Sequence, residues 1–95
     1  MKTLAPGVQM TDSALSQVVV RAAESVSGAR VLRPRRKVAV EIAGGRAHVD
    51  LELAVDYGLV LPDVAHEVQA RVVDALRRMC EVDASVDVSI EKLEK

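Results

Sequence analysis

Ninety-five residues, 49% of them apolar and with a formal net charge of −1, are enough for one small domain with a packed core, and the chain as a whole is no nucleic-acid polycation. No stretch reaches the ~18 apolar residues a membrane helix needs, and Met1 to Gly7 holds no apolar run of secretory-signal length. Cys80 is the only cysteine, so no internal disulfide forms and a cytoplasmic location is expected.

Residues 1–10 contain Pro6 and Gly7 and little pattern; they read as a loose lead with a short edge strand at Val8 to Met10. Thr11, Asp12 and Ser13 are adjacent N-cap candidates, whose oxygens accept the unpaired first N–H groups of a helix. Leu15, Val18, Val19, Ala22, Ala23 and Val26 then recur at offsets 0, 3, 4, 7, 8 and 11, one continuous apolar stripe. Gly28 stands where a left-handed residue ends a helix, so the first helix and its caps take up residues 11–28. Arg30, Arg33, Arg35, Arg36 and Lys37 surround Pro34 in a basic connector.

Val38, Val40 and Ile42 alternate with Lys37, Ala39 and Glu41 and start a hairpin over residues 37–57. Gly44-Gly45 suits its two-residue turn, where positive φ is required. Closure on Ala43 and Arg46 sets Ile42 against Ala47, Val40 against Val49 and Val38 against Leu51. Glu41 then opposes His48, and Lys37 opposes Glu52, so apolar pairs share one face and opposite charges the other. The alternation breaks at Tyr57-Gly58, with Tyr57 expected to pack over the end of the sheet. Pro62 opens a second helix over residues 62–80, with Val64, Val68, Val72, Ala75, Leu76 and Met79 as its buried stripe. A last strand over residues 82–92 points Val82, Ala84, Val86, Val88 and Ile90 inward.

This order predicts an α+β fold: two layers in the sequence α-β-β-α-β, a three-stranded mixed sheet with both helices packed on one face. A right-handed crossover through the second helix makes the last strand parallel to the second hairpin strand. The last strand is placed beside the first hairpin strand, which would then be central.

Glu41, Asp50, Glu52, Asp56, Asp87 and Glu91 share the outward sheet face. Oxygen clusters suit calcium or magnesium, but such sites use close, turn-held ligands. The reading adopted is a charged surface that resists aggregation, with no metal and no cofactor. His48 faces Glu41 as a surface pair, and His66 sits just off the buried stripe near the start of the second helix, in a solvent or capping role. Cys80 reads as a half-buried apolar group with neither histidine placed to activate it, so no catalytic residue is assigned and the chain is expected not to be an enzyme. The basic connector Arg30 to Lys37 could hold phosphate, which gives a nucleic-acid-binding module as the alternative function. No aromatics interleave to stack bases, and Gly44-Gly45 joins strands where a KH-type loop joins helices, so nucleic acid is the weaker reading.

The run Val49-Asp50-Leu51-Glu52-Leu53-Ala54-Val55-Asp56-Tyr57-Gly58, followed by Leu61-Pro62-Asp63-Val64-Ala65 and by Val68-Gln69 through Met79, resembles the alkaline shock protein family of Gram-positive envelope stress response proteins. Ala22 to Val26 with Gly28-Ala29-Arg30, and Val82 to Ile90, are similar to that family too, so the likeness covers residues 7–92. It implies a non-enzymatic cytoplasmic protein that responds to envelope or alkaline stress and self-associates. It also implies a peripheral position at the membrane, held there by an envelope-associated membrane protein. The chain departs from the pattern in lacking long polar tails, in having Cys80-Glu81-Val82 where a glycine usually follows the second helix, and in its basic connector. The interaction residues expected from charge segregation are Arg30, Arg33, Arg35 and Arg36 against Asp50, Glu52 and Asp87.

Overall fold

A computed structural model describes the backbone of residues 2–5, 8–10, 12–32, 39–43 and 46–95, and the side chains of 14–32 and 46–95. The elements in order are β1 (Lys2–Ala5), β2 (Val8–Met10), α1 (Asp12–Glu24), β3 (Ala29–Val31), β4 (Ala39–Ala43), β5 (Arg46–Asp56), α2 (Leu61–Cys80) and β6 (Asp83–Glu94). The fold is α+β, with both helices covering the apolar face of a mixed sheet.

β5 is the central strand. β6 runs parallel to it along its whole length, from Arg46↔Asp83 to Asp56↔Glu94. The other edge of β5 is shared end to end by two antiparallel strands: β4 pairs with residues 46–50, and β3 with residues 53–55. The sheet is therefore three strands wide, with one edge strand in two pieces. The expected strand order is corrected: the last strand lies beside the second hairpin strand. Length decides it, since β5 offers eleven residues to the twelve of β6, and β4 has only five. The parallel sense is the one that the crossover requires.

The hairpin register is the expected one, with Ile42↔Ala47, Glu41↔His48 and Val40↔Val49. Its Gly44-Gly45 turn and the pairs of Val38 and Lys37 lie outside the described residues. Alternation drives this register: Ala47, Val49, Leu51, Leu53 and Val55 are all buried on one face. Two short strands were not expected. β1 pairs with β2, the short strand expected at Val8 to Met10, as an antiparallel ribbon ahead of α1. Residues 29–31, assigned in part to the connector, form β3.

From α1, Leu15, Val19, Ala23 and Val26 enter the core, while Val18 and Ala22 pack against its margin. The helix begins at Asp12; Thr11 and the proposed capping side chains lie outside the described residues. At its end Gly28 has φ +83°, the left-handed conformation expected of it. α2 buries Val64, Val68, Val72, Leu76 and Cys80. Met79, expected inside, is 58% exposed, and Cys80 takes its place with no exposed surface. Glu81 ends the helix in the left-handed region at φ 54°, donating its N–H to the Arg77 carbonyl, and Val82 donates to that of Leu76. A non-glycine residue thus makes the stop that glycine usually makes.

Candidate functional site

The face of the sheet turned away from the helices carries the chemistry. Alternation along β5 aims His48 and Asp50 outward, and the parallel pairing sets Ser85 opposite His48 and Asp87 opposite Asp50. The four side chains occupy the corners of a rectangle on two hydrogen-bonded strands. His48 Nε2 lies 3.3 Å from Asp50 Oδ1 and 3.2 Å from Asp87 Oδ2. Its Nδ1 is 2.9 Å from Ser85 Oγ. Asp50, Asp87 and His48 are all exposed, and Glu52, next along β5, is half-buried.

His48 was expected to pair with Glu41, its register partner on β4, whose side chain lies outside the described residues. The contacts with Asp50, Asp87 and Ser85 were not anticipated. They depend on β6 lying beside β5, so the strand order that periodicity left open also hid this cluster. Asp50, Glu52 and Asp87 do fall on one face, as the alternation requires.

A second polar cluster closes the far end of the sheet. Arg30 on β3 donates from a terminal nitrogen to Asp56 Oδ1 at 2.9 Å and from Nε to Glu94 Oε1 at 2.8 Å. These bonds, first to Asp56 and then to Glu94, hold the guanidinium above its ordinary pKa. Arg30 pairs with Ala54, and Ala54 with Lys92, so the arginine reaches across the central strand. Ala54 is buried although it lies on the polar face, between Arg30 and Lys92 in the register. Arg30 is therefore held within the chain, whereas Arg33, Arg35, Arg36 and Lys37 lie outside the described residues.

Gly28 belongs to the same end. Its carbonyl accepts the Asp56 N–H at 2.9 Å, and a Cβ on it would stand 2.5 Å from Leu59 Cδ1. Tyr57 donates its N–H to the Glu94 carbonyl, but the residue is 64% exposed, with the Lys95 ammonium 5.5 Å from the ring centroid. It does not pack over the sheet as expected. The turn Tyr57-Gly58-Leu59-Val60 projects, and the cation covers the ring from outside.

Two side chains, Glu24 and Gln69, each tie a helix to a strand. Glu24, at the end of α1, accepts the Val31 N–H of β3 at 3.0 Å. Gln69 on α2 donates to the Val86 carbonyl of β6 at 2.9 Å, beside buried Val68. The Val68-Gln69 pair thus does two jobs, packing and satisfying a carbonyl of β6.

Cys80 and the two histidines are not brought together: Cys80 is sealed in the core, and His66 is exposed on α2. Among the described residues no helix is long and apolar enough to cross a membrane.

The chain is similar in structure to several forms of MamM-CTD. One is 26% identical with a TM-score of 0.60, and the match covers 86% of this chain and 99% of that one. A nickel form is 25% identical at TM-score 0.60, covering 87% and 99%. A cadmium form is 28% identical at TM-score 0.58, covering 84% and 94%. A comparison with curated proteins gives no significant match. The profile of the alkaline shock protein 23 family, described by a cell envelope-related function, matches residues 2–94. With the strand–Tyr-Gly–helix run and the Val68-Gln69 pair inside that match, the chain belongs to the alkaline shock protein 23 family.

Proposed function

We propose that this chain is a non-enzymatic interaction module of the envelope stress response. It works in the cytoplasm, associates with further copies of itself, and is held beside the membrane through a protein partner. Family membership over residues 2–94 supports the envelope role. The observation that carries the interaction reading is the uncovered sheet face, where Asp50 and Asp87 are exposed beside half-buried Glu52. The same chain carries Arg33, Arg35 and Arg36 close together in sequence. An acidic surface and a basic segment on one small protein favour head-to-tail attraction between copies. Arg30 takes a smaller share, because Asp56 and Glu94 already engage it.

Exposed charges are screened over roughly 8–10 Å at moderate ionic strength, so the contact should weaken as salt rises. Sedimentation velocity at low and high salt tests this. The expected result is an oligomer at low salt that dissociates at high salt and is lost in the Arg33/Arg35/Arg36→Ala variant. A monomer at both salts would sink the proposal. Titration of labelled RNA under the same conditions covers the alternative: tight, arginine-dependent binding by the monomer would favour a nucleic-acid module.

A further inference from the structure

We propose that His48, Asp50 and Asp87 form a surface site for one divalent transition-metal ion of the zinc type. The argument is independent of self-association. His48, Asp50 and Asp87 each offer one donor atom, and the three atoms lie within 4.8 Å of one another. Two of the separations, 3.2 and 3.3 Å, run from the imidazole nitrogen to the two carboxylates. Ligands about 2.1 Å from one ion lie roughly 3.0 Å apart at a right angle and roughly 3.4 Å apart at the tetrahedral angle. Both of these spacings fall inside that window, and the third, between the two carboxylates, is within 4.8 Å, so rotation of the exposed side chains is what completes the set.

The imidazole is also oriented. Nδ1 lies against Ser85 Oγ at 2.9 Å, and a hydrogen bond from Nδ1–H to that hydroxyl leaves the Nε2 lone pair facing the carboxylates. In that tautomer three acceptors converge with no donor among them. Asp50 and Asp87 are also register partners on adjacent strands, where like charges repel. A doubly charged cation among the three atoms satisfies them together, in place of a proton on Nε2 that would bridge the imidazole to the same carboxylates. One imidazole with two carboxylates suits zinc and its first-row neighbours better than calcium, which takes oxygen ligands alone. The remaining positions on the ion face solvent.

The test is isothermal titration of the full chain with zinc chloride in a non-chelating buffer. The expected result is saturable binding of one ion per chain in the micromolar range. His48→Ala and Asp87→Asn should each weaken it by more than tenfold, and Ser85→Ala by about tenfold through loss of the orienting bond. His66→Ala should bind as the wild type does. All the substituted positions are exposed, so unchanged melting of the metal-free variants shows that they fold. A wild-type isotherm without a saturable site would overturn the proposal, as would a His48→Ala variant that binds as tightly as the wild type.

Discussion

At Gly28, backbone conformation and crowding act together: φ is +83°, and an added Cβ would meet Leu59 Cδ1 at 2.5 Å. Leu59 is exposed and its methyl group is the end of a flexible side chain, so it can swing away. The backbone then sets the cost. A side chain in the left-handed region loses about 1–2 kcal/mol, and in a chain of this length each kcal/mol lowers Tm by roughly 4–8 °C. Gly28→Ala should therefore melt several degrees below the wild type in a calorimetric scan. Gly28→Asn should melt between them, because asparagine tolerates this region better. The glycine was legible because it follows an apolar stripe that stops. Its closeness to Leu59 was not, because that neighbour is 31 positions away in sequence. Tyr57 and His48 carry the same lesson. Alternation tells which side of a strand a residue faces but not which strand lies next to it.

Helices and strands were legible where the period was long enough to register. α2 shows where that reading slips. Its buried residues Val64, Val68, Val72, Leu76 and Cys80 are spaced four apart, and each such step winds about 40° around the helix. A stripe averaged over the helix selects Met79; a helix crossing a twisted sheet follows the winding and selects Cys80. Leu76→Ala should accordingly lose about 2–5 kcal/mol in urea unfolding. Met79→Ala should stay within about 0.5 kcal/mol of the wild type. A large loss for Met79→Ala would return it to the core. β3 escaped notice because three residues, Ala29-Arg30-Val31, are too few to show a period, and the arginines and Pro34 that follow read as a loop. The strand order escaped because a right-handed crossover allows β6 at either edge of the hairpin; only the match in length between β5 and β6 distinguishes them.

For the whole molecule, stability rests on one buried layer between helices and sheet, with no buried polar or charged residue among those described. Leu51 sits in that layer on the central strand with about 1% of its surface exposed. A small protein is stable by about 5–15 kcal/mol, and an unpaired carboxylate in its interior costs several. Leu51→Asp should consequently show no cooperative calorimetric transition; a wild-type transition would place Leu51 outside the core. The opposite face of the sheet has different freedom. Its residues pack against no helix, so substitutions at Asp50 or Asp87 alter charge while the fold stays intact. The two sides of one β-layer thus separate what holds the chain together from what it offers to others.

The single sulfhydryl, Cys80, has no accessible surface at the close of α2. Oxidants and alkylating reagents attack a thiolate that solvent can reach. Here the thiol is reached only when the last turn of that helix lifts away from the sheet. Covalent linkage between two chains is likewise barred while the native packing lasts. Modification at this position would therefore measure how often the native state breathes, and the protein carries a built-in clock for its own opening.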